Sequence, residues 1–375
     1  MANKRGRNEP CWCGSGKKYK RCHLNREKDD ATSPWEAEKQ MRKSFSVKTC
    51  SAPKRWHSEC SGQIVQAHTV PKSLSLRAIA RENHVYGYEL SFSKLNKYNG
   101  KVPPELIGVN RASTFTGFCG VHDSKIFAPV ETRKFESSKE QCFLLAYRAL
   151  AREIFTKNAS ASLSDVRKST DRGKSQAEQF DIQAMALMFD IGTAAGQKDN
   201  ARHLAEMDAC LENGRYDGVR SYIIQFDGPP PVMCSGAFFP QETIHGKKLQ
   251  DLSDVTAEAD LITLTSFYDG ESGFVVFTWL EGSDGTCCDF VESLSLIPDE
   301  DISNALVRLM FEYFENVFIA PDWWESLSED QQRALNSRMW GLVDRLKMGK
   351  ESGSIQPDGI DFPQWKLVKR ELVCG

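Results

Sequence analysis

The sequence predicts an α+β protein in which helices precede and follow one mostly antiparallel sheet. Three observations carry this. Four stretches between residues 219 and 281 alternate or run apolar and are broken by Gly, Pro and Asp, the pattern of hairpin-linked strands. Long segments on either side repeat their apolar residues every three to four positions, the period of a helix. Ahead of both, cysteines and histidines cluster at 11–23 and 50–122 in segments too polar to build cores of their own.

The chain has 375 residues, room for about two or three domains. It lacks an apolar run of about 18 residues, so no membrane insertion is expected. The start, MANKRGRNEP, has no apolar stretch of a secretory signal. A cytoplasmic location follows as an expectation, in which the twelve cysteines serve as metal ligands and core thiols rather than disulfides. The net charge of −3 is unevenly spread: residues 1–133 sum to +12 and residues 134–375 to −15. Either the front meets an anionic partner such as nucleic acid, or the two halves neutralise each other internally.

Taken in order, the first element is RNEPCWCGSGKKYKRCHL. Cys11, Cys13, Cys22 and His23 form C-x-C-x8-C-H, four soft or borderline ligands that suit a closed, structural, tetrahedral zinc site. Gly14 and Gly16 permit left-handed backbone in the turn between the ligands. Tyr19 is the expected apolar cover. So small a segment takes most of its folding free energy from the metal. These residues resemble the SEC-C motif, the zinc-binding tail of preprotein translocase ATPases, over residues 5–24. The resemblance implies zinc and a docking role towards a ribosome, chaperone or other protein partner, and no chemistry. Residues 25–44 are charged and without apolar period, and read as a linker.

The second cluster spans 45–133. Cys50 and Cys60, then Cys119 and His122, are two pairs separated by tens of residues, the layout of a treble-clef zinc module; His57 and Cys60 make a competing H-x-x-C pair. GQIVQAHTVPKS reads as a strand ending at His68 before Pro71. AHTVPKS and FCGVHDSKIF resemble the corresponding segments of zinc-stapled HNH nucleases. That resemblance implies His68 as general base, Asn110 as the amide that orients it, and Asp123 as a ligand to Mg²⁺ or Mn²⁺ that stabilises charge on a phosphodiester. Ala67 and Asp123 stand where that family commonly carries other metal-holding residues. Between the pairs, Tyr86, Tyr88, Phe92, Lys94, Lys97, Tyr98, Lys101 and Arg111 interleave rings and cations, which suits base stacking or, equally, a hairpin with a small aromatic core.

Residues 134–375 form the α+β domain. Ser137 and Glu140 suggest a capping box ahead of an amphipathic helix, and a second long helix is expected over 175–213, ended by Gly214. The four strands follow. ISNALVRLMFEYFENVF reads as one helix, and Ser328 as the cap of the last. No phosphate loop, nucleophile elbow or further metal signature occurs here. The whole reads as a protein with two zinc sites that binds nucleic acid through residues 1–133 and cleaves it by metal-dependent hydrolysis, or else as a non-catalytic adaptor.

Overall fold

The computed structural model describes residues 5–341 and 355–373. The chain divides into two compact units: one takes residues 1–47, 91–93 and 156–198, the other 48–90, 94–155 and 199–375.

The helices in chain order are α1 (Pro34–Phe45), α2 (Arg77–Ile79), α3 (Phe92–Lys97), α4 (Gly120–Glu131), α5 (Lys139–Ala161), α6 (Ser164–Ser169), α7 (Gln176–Asn213), α8 (Asp284–Ser295), α9 (Ile302–Tyr313), α10 (Pro321–Ser326) and α11 (Glu329–Met339). The strands are β1 (Ile64–His68), β2 (His84–Gly87), β3 (Glu105–Gly108), β4 (Thr114–Cys119), β5 (Val219–Asp227), β6 (Val232–Phe238), β7 (Ile262–Tyr268), β8 (Ser272–Leu280), β9 (Val317–Ile319) and β10 (Leu367–Val373).

The first unit joins the amino-terminal cysteine motif to α1, α6 and the leading part of α7. The segment expected to be a linker is ordered. Pro34 occupies the first turn of α1, where its missing N–H costs nothing, and Glu38 pairs with Arg42 one turn on. Glu38 also accepts the Phe92 backbone N–H at 2.7 Å. Ala37, Met41 and Phe45 recur every fourth residue along α1, and Ala37 is buried.

The second unit is built on an eight-stranded antiparallel sheet, ordered β10-β5-β8-β7-β6-β9-β2-β3. Four consecutive strands of it, β5-β8-β7-β6, are those expected from alternation. On one face α8, α9 and α11 bury Trp279, Phe290, Leu306 and Phe311. Another core gathers Phe118, Phe127, Phe143, Tyr147 and Leu150 around α4 and α5. Strands from either side of residue 133 share the sheet, because β2 pairs with β9 through Tyr86–Ile319 and Gly87–Phe318.

Two local readings are corrected. The helix expected over 302–318 stops at Tyr313, and Val317–Ile319 instead form β9, where pairing on both edges with β6 and β2 overrides the helical period. At the start of α5 the cap is Ser138, whose Oγ accepts the Gln141 N–H at 3.2 Å; Ser137 has φ of 57° and stays outside. In the ring-and-cation segment Tyr88 packs inward, as the aromatic-core alternative expects, meeting Phe311 and Trp340 edge-on and donating to Asn336 at 2.8 Å, while Tyr98 stays exposed. Gly214 does end α7, at φ of 61°, and Ser328 caps α11 in a reciprocal box with Gln331.

Candidate metal centres and cleft

The first centre grows from a short turn. Cys11 N–H bonds the Lys17 carbonyl at 2.8 Å and Tyr19 N–H bonds that of Glu9, closing a tight loop that Gly14 and Gly16 enter at φ of 73° and 70°. A helical turn over Tyr19–Arg21 then delivers Cys22 and His23. The ligand atoms of Cys11, Cys13, Cys22 and His23 lie within 4.8 Å of one another. Cys11 Sγ is 3.1 Å from His23 Nδ1, and Cys13 Sγ is 3.5 Å from Cys22 Sγ. A tetrahedral zinc with ordinary bond lengths sets these edges at roughly 3.5 and 3.8 Å, so the four side chains fit it, and the sulfurs are too far apart for a disulfide. The ring beside the ligands is Trp12, 4.4 Å from the His23 ring, rather than Tyr19. Burial lifts the Cys11 thiol to about 12, while hydrogen bonds from Ser15 bring Cys13 down against its own burial.

The second centre uses long-range geometry. Residues 49–51 run beside β4, with the Ser51 N–H on the Gly117 carbonyl at 2.8 Å, and this carries Cys50 to the end of that strand. Cys119 closes β4, His122 stands in the first turn of α4, and Cys60 ends the helical turn over Lys54–Glu59. Sγ of Cys50, Cys60 and Cys119 lies 3.4, 3.4 and 3.3 Å from His122 Nδ1. All four ligand atoms are within 4.8 Å of one another, again a fit to a tetrahedral ion. Burial and neighbouring Cys50 push Cys60 up to about 12; backbone N–H groups of His122 and Ser61 bring Cys119 to about 7, against burial. His57 is spent elsewhere, hydrogen-bonded to the Ala52 carbonyl at 2.9 Å.

Beside this centre, β1 pairs antiparallel with β4, and α4 follows β4 without a break. His68, the last residue of β1, lies opposite Thr114. His68 and Asp123, the latter in the first turn of α4, line one cleft of about 450 Å³ together with Gln66, Glu131 and Asp269. Arg148 of α5 lies buried behind the cleft wall: its guanidinium donates to the His68 carbonyl at 3.1 Å and to Glu131 at 2.6 Å, lies 3.7 Å from Asp123 Oδ1, and stacks 3.8 Å over Phe127. Burial, with Glu131 nearby, holds the Asp123 carboxyl above the usual range while Arg148 pulls it down. The residue after His68 is pinned: Thr69 Oγ1 meets Ser113 Oγ at 2.6 Å and accepts from Asn316 Nδ2 at 2.9 Å.

Asn110 is not brought to this cleft. It is exposed in the turn between β3 and β4 and is not among the residues that line it. Conversely Glu131 and Arg148 lie outside any motif. A glutamate ending a helix and an arginine inside an amphipathic one carry no spacing that marks them.

Comparison with known proteins bears on the first centre. The SEC-C motif model matches residues 7–25. Protein translocase subunit SecA from three strains of Pseudomonas putida is 85% identical over 20 residues, which is 5% of this chain and 2% of each relative. The chain thus spans about a fiftieth of the length of the curated relatives it matches. No solved structure matches the chain significantly. The chain carries a SEC-C motif at its amino end, and its two Cys₃His clusters fit zinc.

Proposed function

We propose that this is a two-zinc protein whose second zinc staples an HNH-like ββα module, and that the adjoining cleft hydrolyses phosphodiester bonds in nucleic acid. The observation that carries the reading is the placement of His68 and Asp123 on one cleft at the β1–β4–α4 junction. His68 takes the proton from the attacking water, its strand end fixed by the bond from Arg148 to its carbonyl. Asp123 would hold a divalent cation, Mg²⁺ or Mn²⁺, which supplies Lewis-acid stabilisation of phosphoryl charge. The exposed Lys17, Lys18, Lys20 and Arg21 suit phosphate contacts.

The test is incubation with plasmid DNA and structured RNA in the presence of Mg²⁺ or Mn²⁺. Cleavage is expected from the wild type and a loss of at least about 100-fold from His68→Ala. No cleavage by wild type, or equal cleavage by the variant, removes the reading.

A second reading has its own support. Phe180, Leu187, Met188 and Ile191 are exposed along α7, an apolar face suited to a protein partner. In that reading the SEC-C motif docks on a ribosome, chaperone or other protein. Partner recovery unchanged by deletion of residues 1–30 would remove it.

A further inference from the structure

Asp171 follows α6 in a polar stretch and is fully buried. A carboxylate taken out of water needs dense pairing. Three side chains provide it. Its Oδ2 lies 2.7 Å from His23 Nε2 and accepts from Gln183 Nε2 at 2.7 Å; its Oδ1 accepts from Arg26 Nε at 2.6 Å. Two of these three partners belong to the amino-terminal 26 residues, and one is a ligand of the first centre. With the Nε2 proton directed at Asp171, the Nδ1 lone pair of His23 faces Cys11 Sγ and the other sulfurs. This is the carboxylate–histidine arrangement that orients metal-binding imidazoles.

The same surface is fastened at further points. Gly173 N–H bonds the Arg26 carbonyl at 3.1 Å; its φ is 71°, and a Cβ there would stand 2.9 Å from the Asp29 carbonyl oxygen. Thr32 Oγ1 donates to the Ser169 carbonyl at 2.5 Å. Trp12 sits between the His23 ring and Phe180 of α7, the latter 5.8 Å away. The motif match ends at residue 25, so Asp171 and Gln183 lie outside it.

We propose that Asp171 is the positioning residue of the first metal site, and that metal binding at residues 11–23 and ordering of residues 164–183 form one linked equilibrium. The inference rests on the reading of that site as a zinc site. Zinc stabilises the helical segment by holding His23 and Arg26 against Asp171, and the segment in turn raises zinc affinity by fixing the imidazole. The SEC-C motif of this chain is then a built-in part of its unit rather than a free tail.

The experiment uses the full chain loaded with zinc. Zinc release to a chromophoric chelator is followed in wild type, Asp171→Asn and Asp190→Asn, with hydrogen exchange read by peptide. Asp190 pairs with Ser164, Arg167 and Lys168 in the same segment and touches no metal ligand. In Asp171→Asn one of two zinc equivalents should release at about 10–100-fold lower chelator, the other unchanged, with a clearly smaller shift in Asp190→Asn, which loosens the segment without touching the imidazole. In wild type, chelation should raise exchange at 164–183 together with 7–25. Release curves that coincide in Asp171→Asn and wild type would overturn the proposal, as would an equal loss in Asp190→Asn. Should Asp171→Asn fail to fold, the wild-type arm decides alone: exchange at 164–183 unmoved by chelation refutes the linkage. A wild type that never holds zinc refutes the zinc reading itself, a separate outcome.

Discussion

Arg148 shows how one side chain organises a cleft. Its side chain is only 2% exposed, yet it serves the His68 carbonyl, Glu131 and Asp123 at once. Asp123 remains under-compensated, since burial and Glu131 outweigh Arg148 and hold its carboxyl above the ordinary value. A carboxyl whose folded value is raised is destabilising once the pH exceeds that value, and neutral below its unfolded value of about 4. Asp123→Asn should therefore raise the melting temperature at pH 7, with the gain shrinking as pH falls through the raised value towards 4. Thermal unfolding across that range checks it, and a variant no more stable at pH 7 contradicts the electrostatic description. Single residues differed in how much the sequence disclosed. The eight cysteines and histidines of the two clusters were legible, the first four because their spacing is compact and local, the second four only as two pairs far apart in the chain. Asp171 was not, being one acid in KSTDRGKS, 148 residues from the histidine it meets.

At the scale of elements, β5 to β8 were legible because they alternate or run apolar between turn residues. Strand β9 was not, because its three residues continue an apolar helical pattern and only partners on both sides make them a strand. Strands β2, β3 and β10 are short or half-exposed and depend on the same pairing. The link from β9 to the cleft is Asn316, 5% exposed, whose amide donates to Thr69 Oγ1 and to the Ser235 carbonyl, both at 2.9 Å. Asn316→Ala should cost roughly 1–3 kcal/mol by leaving these groups unpaired. Because Thr69 follows His68, it should also lower any cleavage activity. Denaturant unfolding measures the first effect, and a change within about 0.5 kcal/mol would mean that water replaces the amide.

Across the whole molecule, the split between a basic front and an acidic remainder is partly settled inside the fold. Arg81 pairs with Asp322 and Glu325, and Arg55 with Glu212, within the sheet-bearing unit. Lys17, Lys18, Lys20 and Arg21 beside the first centre stay exposed. No described helix is long and apolar enough to cross a membrane. Division of the chain into units was the least legible feature. Residues 156–198, distant in sequence, complete the unit that holds the SEC-C motif, and strands from both sides of residue 133 share one sheet. Both facts are tertiary pairings with no compositional mark.

The most direct measurement is elemental analysis of purified protein, alongside Cys22→Ser and Cys60→Ser. Two zinc ions per wild-type chain and one in each variant are predicted. A wild type with one zinc or none, or a variant that keeps both, would contradict the assignment of two independent Cys₃His centres.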